Sequence, residues 1–178
     1  MKSVKESLFV WDENFSKVPV IVTPAVQADL ENTDGWQTQW TTKAAISMPN
    51  KVALKRADND ELLGLMSYEV DHKGLAVKII YLESADHSNK NLLKQSNRMP
   101  KYHGIAKALF AYAIQESKDA GFGGVLFFRA KTTELVKYYM QEFGAVRLGQ
   151  YDPFQMIIWD EAAEEIISDF KKEDSYND

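Results

Sequence analysis

The stretch KYHGIAKAL, residues 101–109, decides how the chain is read. After its glycine, Ile105, Ala108, Leu109, Tyr112 and Ala113 recur at helical spacing, so an apolar helix stripe opens directly behind Gly104. A helix start leaves its first backbone N–H groups unpaired and carries the positive end of the helix dipole. Gly104 removes the side chain that would keep a ligand from those groups, and Ala106 keeps the first turn slim. Two readings follow: a loop that merely leads into a helix, or a helix start built for an anion, with phosphate or pyrophosphate as the natural guest. From Asn89 to Gln115 there is no Asp or Glu, whereas Lys90, Lys94, Arg98, Lys101 and Lys107 are present. That stretch carries +5 in a chain whose net charge is −5, which suggests one anionic ligand met at one place, or else a solvated basic loop. Neither G-x-x-x-x-G-K-[ST] nor G-x-G-x-x-G occurs, which excludes a Walker loop and a dinucleotide fingerprint.

Working outward, residues 52–56, 61–70 and 75–84 read as three strands joined by the turns ADND and DHKG, an antiparallel meander. In the third strand, period-two alternation puts Val77, Ile79, Tyr81 and Glu83 on one face. Residues 85–101 read as a long polar segment. The helix ends at Ala120-Gly121, and GVLFFRA (124–130) is a continuous apolar strand of the kind buried on both faces. Thr132 or Thr133 caps a second helix with the stripe Leu135, Val136, Tyr139, Met140 and Phe143, stopped by Gly144. Two closing strands follow at 145–149 and 154–159. Upstream, PVIVT (19–23) is a strand, and 25–46 is helical in pieces divided at Asp34-Gly35. The strand–helix–strand unit from 75 to 130 requires a right-handed crossover and a parallel pair, so the sheet is mixed and the class α+β or α/β.

Lys101-Tyr102-His103-Gly104-Ile105-Ala106 resembles the R/Q-x-x-G-x-G/A motif of the GNAT superfamily of acyl-CoA-dependent N-acyltransferases, and the element order from about 50 to 160 is similar to that family's. The run Tyr138 to Ala145 is similar to its tyrosine–polar–glycine signature. The sequence departs from the family in having Lys101 where Arg or Gln is usual, a longer 85–101 segment, and one extra residue between Tyr139 and Gly144. The resemblance implies a GNAT-like fold: a mostly antiparallel sheet with a parallel pair between the 75–84 and 124–130 strands, and helices on both faces. It implies acetyl-CoA as co-substrate, bound by Leu82, Lys101, His103, Gly104, Ile105, Ala106 and Lys107, with pantetheine between the two parallel strands. The reaction implied is attack of a primary amine on the thioester in a ternary complex.

An amine with a pKa near 10.4 is almost wholly protonated at neutral pH, so a base helps, and the leaving thiolate gains from a proton donor. Glu83, at the end of its strand, is the candidate base, although it also reads as a strand-end carboxylate in water; Glu69 is its rival. Tyr139 is the candidate acid by resemblance, with Tyr138 in reserve; on its apolar stripe it also reads as core. His72, His87 and His103 are scattered and make no metal site, and no cysteine is present to supply thiolate ligands, a nucleophile or a disulfide. The four tryptophans read as core or rim. The acidic remainder of the chain favours a cationic small-molecule or peptide amine as acceptor over nucleic acid; a homodimer is compatible with it. A non-catalytic acyl-CoA-binding module and an interaction protein docking through 85–101 are the rival functions. The length of 178 residues fits one domain with an acidic tail over 170–178. MKSVKESLFVWDEN holds no apolar run of signal-peptide length, and no membrane-span signal appears, so the expectation is a cytoplasmic protein.

Overall fold

The computed structural model describes residues 3–171. Of the expected tail, residues 172–178 lie outside the described residues. In chain order the elements are β1 (Phe9–Asp12), β2 (Lys17–Pro24), α1 (Gln27–Glu31), α2 (Lys43–Ile46), β3 (Lys51–Arg56), β4 (Leu62–Asp71), β5 (Ala76–Ser84), α3 (Lys90–Ser96), β6 (Tyr102–His103), α4 (Ile105–Asp119), β7 (Leu126–Arg129), α5 (Thr133–Phe143), β8 (Val146–Arg147), β9 (Gln155–Ile158) and α6 (Asp160–Asp169). The strands form one mixed sheet in the order β6-β1-β2-β3-β4-β5-β7-β9-β8. Among the described residues its single parallel pair is β5 with β7, joined through α4 as the crossover requires.

The meander follows from its turns. The Asp71 carboxylate accepts the N–H groups of Lys73 and Gly74, both at 3.0 Å, which closes the β4–β5 hairpin. Thr132 caps α5 by accepting the Leu135 N–H at 3.1 Å, and Gly144 ends it in the left-handed conformation. The larger core lies on the face covered by α4, α5 and α6. A smaller one, around fully buried Trp40, lies under α1 and the segment leading to α2 on the opposite face. Among the described residues no helix is long and apolar enough to cross a membrane.

The structure corrects one expectation on β5. Tyr68 of β4 pairs with Ile79 and Ser67 with Tyr81, so Ile80 is an extra residue in the ladder, a β-bulge. A one-residue insertion resets the alternation beyond it. Val77 and Ile79 sit in the larger core, whereas Tyr81 packs on the smaller one and Glu83 bonds to Trp40 there. The four residues therefore do not share a face. The polar segment 85–101 also differs from expectation: it holds a 3-10 turn over Asp86–Ser88 and then α3, capped by Asn89 and pinned by buried Leu93. Strands β1 and β6 at one end of the sheet were not expected; Trp11 pairs with His103 and Asp12 with Tyr102 across some ninety residues of chain.

Helix α4 lies down on the sheet because β4 carries no side chain at Gly64. A Cβ there would sit 2.9 Å from Ile105 Cγ2 and 3.2 Å from the Glu83 carbonyl oxygen. Gly64→Val is expected to cost about 1–3 kcal/mol through overpacking, with a loss in Tm of roughly 2–4 °C per kcal/mol. Calorimetric unfolding beside wild type checks this; an unchanged Tm would mean the helix start is not seated on Gly64.

Candidate functional site

Beyond the pairs Val77–Leu126 and Lys78–Phe127 the two parallel strands part. The gap opens into a cavity of about 520 Å³. Its walls are the C-terminal half of β5, the end of β7, the first turn of α4, one side of α5, and α3. The bulge at Ile80 fixes what β5 offers to it. The Val77 N–H points at β7, bonding Val125 O at 3.1 Å, and the Ala85 N–H points at β4, bonding Leu63 O at 2.8 Å. Both residues are odd-numbered, so strict alternation would aim them the same way. The extra residue reverses the sense and turns the Leu82 N–H toward the parted edge.

Most residues singled out in the sequence meet here. Leu82 and Glu83 of β5, His103 and Gly104, Ile105, Ala106 and Lys107 of the helix start, and Tyr139 of α5 all line the cavity. Lys101 does not. Its ammonium lies 3.0 Å from the Glu61 carboxylate, whose hydrogen bond is the main cause of a lysine pKa held above the ordinary value. Tyr138, 40% exposed, is at the rim, and Glu69 is exposed on β4 opposite Lys78, outside the cavity lining.

Gly104 is the N-cap of α4 at φ +91°, with no side chain to cap the helix. The first intrahelical bond runs from the Ala108 N–H to the Gly104 carbonyl at 3.0 Å, so the N–H groups of Ile105, Ala106 and Lys107 precede the ladder. A Cβ on Gly104 would meet only Trp11 Cδ1, at 3.9 Å. The glycine is therefore required by its left-handed backbone more than by lack of room.

The approach to this helix start is clamped from several sides. The Tyr102 hydroxyl donates to Glu61 at 2.8 Å and accepts from Arg56 Nη1 at 2.9 Å. The Tyr102 N–H donates to Ser88 Oγ at 3.0 Å, and the Lys101 N–H to the His87 carbonyl at 2.9 Å. Glu61, Arg56 and Ser88 went unnoticed in the sequence. Glu61 and Arg56 stand about forty residues away from what they hold, with no local pattern to flag them.

Tyr139 stands among Phe110, Phe128 and Phe143, with ring centroids 5.2–5.8 Å away. Burial, helped by neighbouring Tyr138, pushes its phenol pKa up to about 12. It keeps its proton throughout the neutral range. Glu83 is 3% exposed. Its carboxylate accepts the Gln37 N–H at 2.7 Å, the Thr38 N–H at 3.2 and 3.3 Å to its two oxygens, and the Trp40 indole N–H at 2.9 Å. Three donors hold the carboxylate, the Thr38 N–H shared between its two oxygens. Glu83 thus ties the 37–40 segment, including cavity-lining Gln37, to the end of β5. Among the described residues no group of three or more His, Asp or Glu side chains could hold a metal ion.

No family model matches the chain, and no curated protein matches it. Solved structures do. The chain is similar to one in the KacTA–DNA complex, at TM-score 0.55 and 16% identity, with 85% of this chain and 99% of that one covered. It is similar to AtaT complexed with acetyl-methionyl-tRNAfMet, at TM-score 0.54 and 15% identity over 83% of this chain and 99% of that one. It is also similar to apo FdhC, a nucleotide-linked sugar GNAT, at TM-score 0.54 and 13% identity over 85% and 93% of the two chains. The chain shares the GNAT fold of these structures, the α+β mixed sheet with, among the described residues, the one parallel pair that the sequence implied.

Glu83→Gln separates an anchor from a proton acceptor. The amide keeps one acceptor oxygen and turns an NH2 toward N–H donors, so stability is expected to fall by about 1–3 kcal/mol. The urea midpoint reads the loss; an unchanged midpoint would show that the 37–40 segment does not depend on this carboxylate.

Proposed function

We propose that the protein transfers an acetyl group from acetyl-CoA to a primary amine by direct attack in a ternary complex. One observation carries the reading: the parted edge of β5 opens a cavity bounded by an uncapped helix start at one wall and the protonated phenol of Tyr139 at another. In this reading the N–H groups of Ile105, Ala106 and Lys107 hold the pyrophosphate of coenzyme A beside His103. Pantetheine lies along the free edge of β5 as an added strand. The Leu82 N–H then donates to the thioester oxygen as it becomes an oxyanion.

The amine nitrogen attacks the carbonyl carbon. The tetrahedral intermediate collapses by breaking the C–S bond, the thiolate takes its proton from the Tyr139 hydroxyl, and water returns a proton to the phenolate. The amine's own proton leaves to water. Glu83 as base would have to surrender one of its bound donors, so here it anchors the acceptor-side segment instead. Lys101 acts on the helix start through Glu61, not by touching the cofactor. The acidic remainder of the chain favours a cationic acceptor. AtaT, similar in fold, is complexed with acetyl-methionyl-tRNAfMet, so an aminoacyl-tRNA belongs in an acceptor screen.

Thermal unfolding with acetyl-CoA is the first test. At about 100 times Kd a ligand stabilises by roughly 2.7 kcal/mol, on the order of 5–10 °C for a domain of this size. Gly104→Val, strained at φ +91°, is expected to lose that shift while remaining folded. No shift for wild type at saturating acetyl-CoA would overturn the reading.

Turnover gives the second test. Tyr139→Phe is expected to lower kcat by about 10²–10⁴-fold. The wild-type rate should rise with pH as an amine of pKa about 10.4 loses its proton. Tyr139 deprotonates only near 12, so no descending limb is expected through pH about 11. A falling limb below pH 9 that the phenylalanine variant lacks would refute this role.

A further inference from the structure

Helix α3 is not accounted for by the acetyl-transfer reading. It starts beside Gln37, whose amide oxygen accepts from Asn89 Nδ2 at 3.1 Å, and it crosses to α5. There Lys94 lies 3.5 Å from Glu134, and the Lys90 ammonium stands 5.7 Å from the Tyr138 ring centroid. Lys90, Asn91 and Lys94 line the same cavity as the start of α4. Lys90 and Lys94 are four apart on one helix and so share a face.

The other cavity-lining lysines and arginine are engaged. Lys107 pairs with Asp169 at 2.7 Å, Arg129 with Asp152 at 3.0 Å, and Lys131 donates to the Tyr81 hydroxyl at 3.0 Å. Lys90 makes no ion pair among the described residues. The Lys94–Glu134 contact joins side chains that are 70% and 86% exposed, a weak bond that an incoming anion can displace. Two lysines thus face the cavity without a firm partner.

We propose that α3 roofs the cofactor cavity and that Lys90 and Lys94 read the 3′-phosphate of coenzyme A. The proposal rests on the acetyl-CoA reading. Backbone N–H groups at a helix start suit the pyrophosphate, whose charge is spread along the chain of the cofactor. The 3′-phosphate is a monoester with a second pKa near 6 and close to two charges at neutral pH, and compact ammonium groups are its natural partners. The protein therefore distinguishes coenzyme A from its 3′-dephospho form.

Titration calorimetry of wild type and the double variant Lys90→Ala/Lys94→Ala with both compounds tests this. Wild type is expected to bind coenzyme A about tenfold more tightly than dephospho-coenzyme A, a ratio that shrinks with added salt. The double variant is expected to lose the ratio, with its affinity for the dephospho form within twofold of wild type and its Tm unchanged. A ratio kept by the double variant overturns the proposal. If that ratio is instead lost in Trp11→Ala, the nucleotide end lies in the aromatic recess of Phe9, Trp11 and Phe170 on the other side of the helix start. Equal wild-type affinities for both compounds overturn the proposal and leave the acetyl-CoA reading standing. Binding of neither compound removes both.

Discussion

One extra residue in a β-ladder sets the geometry of this molecule. Without the bulge at Ile80, Leu82 would turn its amide toward β4, and Glu83 would point into the larger, mostly apolar core, away from Gln37, Thr38 and Trp40. With it, the strand offers different things on its edge and its two faces. Its free edge toward β7 carries an unclaimed N–H. The face under α4 stays apolar, and the other face presents Tyr81 and Glu83 to the segment around Trp40. Because β5 and β7 share only two register pairs, that edge is open where the bulge has redirected it. The cavity follows from these two facts together.

Charge is apportioned around the cavity in a consistent way. Carboxylates at Glu61, Asp152 and Asp169 hold Lys101, Arg129 and Lys107 in structural pairs at 2.7–3.0 Å. Those pairs stiffen the frame and leave the helix start to work through backbone dipoles. Tyr139 works by the opposite principle: aromatic neighbours, not ions, set its proton affinity, since desolvation is the leading cause of its raised pKa. The 37–40 side is different again, with one buried carboxylate held by three donor groups.

The sequence made the α4 and α5 stripes, the meander and the buried β7 strand legible because each is a periodic pattern with a turn or cap beside it. The convergence of Gly104, Leu82 and Tyr139 on one cavity was legible only through resemblance, since no spacing rule brings residues so far apart together. Reading β5 by alternation failed at Ile80 because a bulge leaves no composition signal; only its ladder partner reveals it. Helix α3 was missed because seven residues are too few to display a stripe, although the Asn89 cap was there to be read. Lys101 was placed with the cofactor by its position in the motif, and the partner that captures it, Glu61, is forty residues earlier.

The way Glu83 grips its segment bears on how such a protein changes over generations. Two of its three donors are main-chain amides, at Gln37 and Thr38, which any residue but proline supplies. The side chains at 37 and 38 can therefore drift while the tether stays intact, and Gln37 is one that faces the cavity. The start of α4 hangs on a separate set of bonds around Tyr102 and Glu61. Under the proposed acetyl-transfer reading, selection can change what the 37–40 side of the cavity recognises without disturbing the bonds that hold the start of α4.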